Sequence, residues 1–313
     1  MSQSLEQRSH KSLLERLSRI ANTKTGIVVL LIGPIQFLLF LILLTPFLIE
    51  IFLSLSSWDP SKGNWWMAKF DFGSGFLTVL QDTRFLSALG RTAMFVGIAV
   101  AAEFLIGLYL ANLVSKSFRG KRAVFSVFLL PMFVMPLIVG YTFWMLFQPS
   151  GPIDHVLTLA TGINFMSTFW LSNGILAWIA LIVTDVWHWT PFMFLILYSG
   201  LVSLPENPIS AAKVLGASSW QIFKDIKIPM LRNIIIIALV IRAMEAMKLF
   251  DEIFLMTGGG PGFDTETISM YTFTTAITTA KIGYGSTAAI IVLLISLILI
   301  ITAVRPVLLV REK

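Results

Sequence analysis

Long runs of apolar residues, separated by short polar intervals, dominate the pattern along this chain. A helix needs roughly 20 mostly apolar residues to cross the hydrocarbon core of a bilayer. The first run is longer than the apolar region of a signal peptide and is followed by SLSSWDP, without a cleavage-site pattern, so we interpret it as a retained helix. We expect six transmembrane helices, at about residues 27–49, 86–113, 123–147, 174–200, 233–256 and 284–304.

Lys and Arg residues are concentrated in alternate polar intervals. Sixteen lie in the two tails and in the intervals after the second and fourth apolar segments, whereas four lie in the other intervals. Cytoplasmic loops of membrane proteins carry the excess of these cations. The distribution therefore predicts that both termini, and the interval between the fourth and fifth segments, face the cytoplasm.

This orientation divides the chain into a cytoplasmic tail, residues 1–25, and a transmembrane domain, residues 26–313. Apolar residues in the tail have the spacing of a short helix on the membrane surface, although a tail without function is an equal alternative. The residues with this spacing are Leu13, Leu14, Leu17 and Ile20.

Composition supports a membrane protein and excludes several kinds of chemistry. Hydrophobic residues make up 56% of the chain and charged residues 13%, against about 25% charged in soluble domains. The chain has no cysteine, which excludes disulfides and thiolate metal sites. His10, His155 and His188 lie too far apart in sequence for a metal motif. We expect membrane lipid around the chain, and neither a bound metal or cofactor nor a nucleic-acid partner.

One glycine-rich stretch invites comparison with a phosphate-binding loop. TGGGPG, at Thr257–Gly262, lacks the lysine and hydroxyl of the G-x-x-x-x-G-K-[ST] motif. We interpret it as a turn after the fifth apolar segment, in which glycines supply positive φ angles. Because no pairing of nucleophile and base is recognisable either, the sequence predicts a protein that is not an enzyme.

The interval after the fourth apolar segment, PISAAKVLGASSWQIFKDIKIP, has the signals of two short helices. Asn207 and the proline after it predict the start of the first helix, which Gly216 ends. Ser218 and Gln221 have the spacing of a capping box for the second helix, which we expect Pro229 to end. A compact unit of this kind suits insertion into a partner's groove, whereas ordinary helical turns in a loop are the alternative.

This interval resembles the EAA loop of the integral-membrane permease subunits of bacterial ABC importers. The signature of that loop is two alanines, a glycine a few residues later and a downstream hydrophobic residue followed by Pro, here Ile228-Pro229. The resemblance implies that residues 203–232 form a coupling loop seated in a cleft of an ATP-binding subunit. Ser210 and Leu215 stand where the family commonly has acidic residues, so an electrostatic contact of the family is missing. The residues implied to contact the ATPase are Ser210, Ala211, Ala212, Gly216, Ala217, Trp220, Phe223 and Pro229.

Two further stretches are similar to carbohydrate-type permeases, the group of the maltose and glycerol-3-phosphate importers. They are WHWTPFMFLILYSGLVSLP, at Trp187–Pro205, and LFDEIFLMTGGGPGFDTETISMYTF, at Leu249–Phe273, within a resemblance that covers about residues 85–305. The resemblance implies an all-α membrane protein of six transmembrane helices, with a cytoplasmic coupling helix between spans four and five. It would lie in a bacterial or archaeal cytoplasmic membrane.

The implied function is that of a permease subunit that forms the translocation pathway for a sugar or sugar-like solute. The implied partners are a second homologous permease, two ATPase subunits and an external solute-binding protein. ATP and Mg are expected on the ATPase subunits and not on this chain. An ion-coupled secondary carrier is the alternative, but such carriers have inverted repeats, and we find none in this sequence.

Ionisable residues inside apolar segments are costly and are therefore candidates for function. Spacings of three residues predict ion pairs of Arg242 with Glu245 and of Glu245 with Lys248 along one helix. Arg242 is also a candidate for recognising an acidic sugar derivative, although pairing with Glu245 would leave a neutral solute as the default. The resemblance implies that the substrate pathway includes Asp185, His188, Trp189, Arg242, Glu245, Ala246 and Leu249, with Tyr141 and Trp144 as weaker candidates.

Overall fold

The computed structural model describes residues 24–56, 58–71, 74–115 and 119–309. These residues are mostly helical, and the strand-like pairing among them is a single bridge between Ser56 and Phe70. The predicted surface helix of the N-terminal tail lies outside the described residues. The α-helices of six or more residues are α1 (Lys24–Ser54), α2 (Ser74–Gln81), α3 (Thr83–Val114), α4 (Lys121–Leu129), α5 (Pro136–Leu146), α6 (Pro152–Thr161), α7 (Gly174–Val202), α8 (Glu206–Val214), α9 (Ile228–Met247), α10 (Asp251–Met256), α11 (Ile268–Phe273) and α12 (Ile282–Leu309).

Four helices of the described residues are long and apolar enough to cross a membrane. They correspond to the first, second, fourth and sixth predicted spans. The qualifying stretches are Leu31–Ser54, Thr83–Val114, Gly174–Val202 and Ile282–Ala303.

The third predicted span, residues 123–147, is two helical pieces instead of one. The piece Lys121–Phe133 and helix α5 meet at an angle of 95°. Proline explains the break: Pro136 disfavours the helical conformation of the residue before it, and Met135 has the extended angles φ −60° and ψ 136°. The pair is a fifth candidate span or a loop that re-enters the same side.

The fifth predicted span, residues 233–256, is also interrupted. Helix α9 ends at Met247, and α10 starts at Asp251. Side chains from a later segment satisfy two carbonyl groups freed by the break, since Thr267 Oγ1 donates to Leu249 O at 3.1 Å and Ser269 Oγ donates to Met247 O at 3.3 Å. The count of six spans therefore stays a prediction.

Contacts between several of the loops define two opposite ends of the molecule. At one end, Gly283 N donates to Trp58 O at 2.9 Å, and Trp178 Nε1 donates to Asp264 O at 2.9 Å. At the other end of α7, Lys121 Nζ lies 5.0 Å from the ring centre of Tyr198. The loop before α4 and the loop after α7, both rich in Lys and Arg, therefore share one end of the molecule.

Helices α3 and α7 form the most extensive contact of the structure, and α9 packs against both. Gly107 permits this close crossing, since a Cβ atom built there would lie 3.0 Å from Phe194 N and 3.1 Å from Met193 Cγ. Small residues let helices approach in this way inside a membrane. The main core of the protein, which includes Phe95, Leu181 and Phe194, lies around this crossing.

Candidate functional site

The segment between α7 and α9 contains the two predicted helices, with different ends. Helix α8 starts at Glu206, with Pro205 as its N-cap. The predicted cap at Asn207 and first helical residue at Pro208 are therefore wrong, each two residues too late in the sequence. Gly216 has φ +82° and makes the predicted turn. Ser218 and Gln221 form the predicted capping box, with Gln221 N donating to Ser218 Oγ at 3.3 Å and Ser218 N to Gln221 Oε1 at 2.7 Å.

Pro229 does not end the second helix, which corrects the sequence-based expectation. The helix starts at Ser219, widens into a π turn at Ile222–Lys227 and continues as α9 to Met247. Pro229 stands in the first turn of α9, a position where proline is tolerated. The segment after α7 is therefore joined to α9 by one unbroken helix.

Large apolar side chains project from this segment. Val214, Leu215 and Trp220 are 88%, 86% and 68% exposed, and we call residues 214–220 the exposed knob. Phe223 lies 5.8 Å from Trp220, measured between ring centres, and packs against the main core. Of the other residues implied to contact the ATPase, Ser210, Ala211, Gly216 and Pro229 are exposed, and Ala212 and Ala217 are half-buried.

A second site lies where α3, α7 and α9 meet. Arg242 Nε donates to Glu103 Oε2 at 2.7 Å, and Arg242 Nη2 donates to Glu103 Oε1 at 2.9 Å and to Asp185 Oδ2 at 2.5 Å. Each of these three side chains is at most 1% exposed. We call Glu103, Asp185 and Arg242 the Arg242 cluster.

Two more predicted pathway residues of α7 lie beside this cluster. The ring of Trp189 is 5.0 Å from the guanidinium carbon of Arg242, within the range of a cation–π contact. His188 is buried, with Nε2 at 3.0 Å from Val134 O and Nδ1 at 3.4 Å from Glu252 Oε1. The structure therefore brings Asp185, His188, Trp189 and Arg242 together, but their polar groups contact each other and other groups of the same chain.

The remaining predicted pathway residues are distributed differently. Ala246 and Leu249 are buried, whereas Tyr141 and Trp144 stack on each other on the exposed surface of α5, with ring centres 5.7 Å apart. Glu245 is exposed and pairs with Lys248 at 3.1 Å, as its spacing predicted. The predicted pair of Arg242 with Glu245 is wrong, because Arg242 points to α3 and α7 instead.

Glu103 is the member of the Arg242 cluster that sequence reasoning did not assign to a site. The signal was present, since Glu103 is an ionisable residue inside an apolar segment. Its partner is on a helix 139 residues further along the chain. No local spacing reports such a pairing.

A network at the opposite end of the molecule surrounds the glycine-rich stretch. Gly258, Gly259 and Gly262 have φ of +60°, +89° and +59°, which confirms the predicted turn. Glu266, just after it, accepts hydrogen bonds from Arg84 Nε and Nη2 at 2.9 and 2.5 Å. This ion pair joins the turn to the first residues of α3.

Asp82, the N-cap of α3, belongs to the same end. Its carboxylate accepts hydrogen bonds from the hydroxyls of Tyr271 and Tyr284 at 2.6 and 3.0 Å, and from the backbone N–H of Arg84 at 2.8 Å. Burial by itself raises the pKa of Asp82, but these donors outweigh it and the pKa is lowered. The carboxylate is therefore held in its ionised form.

Comparison with known proteins assigns the chain to a family. Residues 103–309 match the family of binding-protein-dependent transport system inner membrane components. The chain belongs to this family. The prediction of a carbohydrate-type permease subunit of an ABC importer is confirmed.

Relatives and a solved structure agree with this assignment. The trehalose/maltose transport system permease protein MalF of Thermococcus litoralis is 31% identical over 87% of this chain and 92% of its own length. The sulfoquinovosyl glycerol transport system permease protein SmoG of Agrobacterium fabrum is 29% identical over 87% of each chain. A bacterial ABC transporter involved in the import of the acidic polysaccharide alginate has the same fold, with a TM-score of 0.75 and 21% identity over 92% of this chain and 96% of its own.

Proposed function

We propose that this permease forms the translocation pathway for a sugar-like solute and takes up mechanical work from an ATPase through the exposed knob. Relatives named for trehalose, maltose and sulfoquinovosyl glycerol support the class of solute. In this proposal the importer has a second homologous permease, two ATPase subunits that bind ATP and Mg, and an external solute-binding protein.

The observation that carries the proposal is the exposure of Val214, Leu215 and Trp220. Exposed apolar side chains on the long helices are explained by lipid, but the knob lies in a polar loop beside Lys213 and Lys224. Clustered apolar surface rimmed by polar residues is typical of a protein interaction site. The excess of Lys and Arg at this end supports a cytoplasmic position, where ATP is available.

The cytoplasmic position of the end that carries the exposed knob sets the orientation of the whole chain in this proposal. With the knob in the cytoplasm, both termini are cytoplasmic, and the turn at Thr257–Gly262 faces the external solute-binding protein. The membrane then contains six spans, counting the bent pair at residues 121–146 and the interrupted pair α9 and α10 as one span each.

Substrate contact by the predicted pathway residues also remains a proposal. Arg242 is engaged with two carboxyl groups of its own chain, which supports a neutral sugar over an acidic derivative. Trp189 is the candidate best suited to a sugar, because it is half-buried beside the cluster and aromatic faces stack on sugar rings.

Substitution of Trp220 tests the proposed coupling, with Trp66 as a matched control. Both tryptophans are exposed, by 68% and 59%, but Trp66 lies at the opposite end of the molecule. We expect Trp220→Ala to lower co-purification of the ATPase subunits and ATP-dependent uptake into proteoliposomes by at least several-fold, and Trp66→Ala to leave ATPase attachment unchanged. Full attachment and uptake by the Trp220 variant would refute the coupling.

A further inference from the structure

The Arg242 cluster has more acidic groups than basic ones. Within the described residues, Arg242 is the one cation that forms ion pairs with Glu103 and Asp185. If both carboxyl groups were ionised, the cluster would carry a net charge of −1 with no exposed member. A charge that is buried without a partner is strongly unfavourable, and more so at membrane depth.

Two contacts of the carboxyl groups point to the way this charge is neutralised. The carboxyl groups of Glu103 and Asp185 converge on one atom, since Glu103 Oε1 and Asp185 Oδ2 lie 2.9 and 2.5 Å from Arg242 Nη2. Two ionised carboxylates that share one buried site repel each other, and a proton on one of them removes this repulsion. In addition, Asp185 Oδ1 is buried and has no hydrogen-bond partner among the described residues, which is costly for an oxygen that carries full negative charge.

We propose that Glu103 and Asp185 form a buried proton-binding site, in which the two carboxyl groups share one proton and Arg242 balances the remaining negative charge. The charges then sum to zero: one guanidinium against one carboxylate, beside one neutral acid. A hydronium ion of the aqueous phase supplies the proton: one of its O–H bonds breaks as the O–H bond of the acid forms, and a water molecule is released. The proposal concerns the charge of the cluster and does not depend on which solute the importer carries.

Within the described residues, no other charged side chain of the neighbouring helices α3, α7 and α9 forms an ion pair with Glu103 or Asp185. His188, one turn after Asp185 on α7, is directed at Val134 O and at Glu252 of α10. Glu245, one turn after Arg242 on α9, is exposed and pairs with Lys248. Arg91, on α3, donates from Nε to Glu266 O at the end of the molecule that carries Asp82.

Infrared difference spectroscopy of the assembled importer in lipid nanodiscs tests the site directly. A protonated carboxylic acid has its own carbonyl stretching band, which shifts in heavy water. Either Glu103→Gln or Asp185→Asn leaves a single carboxylate that Arg242 neutralises, so we expect the band of the wild type to be lost in each variant. Glu245→Gln removes an exposed carboxylate and should leave the band in place. A band that persists in either variant of the pair, or that is absent from the wild type, would overturn the proposal.

Assembly provides a second measurement, which also guards against variants that do not fold. An amide resembles a neutral acid in shape, so each single variant should yield the assembled importer within about two-fold of wild type. The double variant Glu103→Gln/Asp185→Asn leaves Arg242 buried without a counter-charge, and we expect at least a ten-fold loss of assembled importer. If either single variant loses as much as the double variant, the pair does not share a proton.

Discussion

Arg242 and Glu103 form a bidentate ion pair between α9 and α3, at 2.7 and 2.9 Å, across 139 residues of sequence. Two parallel hydrogen bonds of this kind fix the geometry as well as adding energy. With Asp185 on the third helix, the pair ties together the three helices that cross at the centre of the protein.

Removal of this cation is expected to destabilise the permease severely. Arg242→Met leaves buried carboxyl groups without a counter-charge, at a cost of about 3–5 kcal/mol in the free energy of unfolding. The measurement is the thermal midpoint of the purified permease, compared with Arg232→Met on the exposed side of α9. Equal midpoints for the two variants would contradict a structural role for Arg242.

The crossing of α3 and α7 predicts a contrast between two glycines of one helix. A methyl group at Gly107 meets the backbone of Phe194, so Gly107→Ala should cost about 1–3 kcal/mol through overpacking. A methyl group at Gly97 meets no atom of the described residues within 4 Å, so Gly97→Ala should be neutral or stabilise the helix by up to about 1 kcal/mol. Thermal midpoints of both variants check the order, and a Gly97 variant as unstable as the Gly107 variant would disprove it.

Two substitutions of Gly216 test whether the backbone conformation of the turn is needed for attachment of the ATPase subunits. Its φ of +82° strains any residue with a branched side chain, whereas Asn adopts this region more readily. We expect Gly216→Val to weaken attachment of the ATPase subunits several-fold and Gly216→Asn to retain most of it. Co-purification measures attachment, and equal attachment of both variants would remove the turn from the coupling proposal.

Asp82 predicts a dependence of stability on pH. Because its pKa is lowered in the folded protein, its contribution is present above the ordinary Asp pKa of about 3.9 and is lost as pH falls through the folded value. The thermal midpoint should therefore fall between neutral pH and about pH 3 by more in the wild type than in Asp82→Asn. Asn keeps an oxygen for the helix cap but does not titrate, so identical pH profiles would argue against this contribution.

The helical pattern and the glycine turns were within reach of the sequence because they depend on local chemistry. Ser218 and Gln221 lie three residues apart, and their capping box depends on little else. Gly258, Gly259 and Gly262 needed positive φ angles that other residues rarely adopt. Local reasoning gave a wrong prediction at Pro229, which was expected to end a helix. The helix instead passes through a π turn at Ile222–Lys227, and Pro229 lies in the first turn of α9, where proline is tolerated.

The partners of Arg242 were beyond the reach of the sequence for the opposite reason. Spacing along one helix favoured Glu245, three residues away, whereas packing places Glu103 and Asp185 against the guanidinium. Burial decides between them, because an exposed carboxylate such as Glu245 is well solvated without a cation and a buried one is not. Residue spacing carries no record of which helices cross.

An unbroken helix from Ser219 to Met247 connects the exposed knob rigidly to the Arg242 cluster. Trp220 and Arg242 are 22 residues apart on it, a span of about 33 Å at 1.5 Å per residue. No loop lies between these two residues, so a tilt of the helix at Trp220 also displaces the guanidinium of Arg242. The contact of α3, α7 and α9 at Arg242 therefore also receives a displacement that starts at the exposed knob.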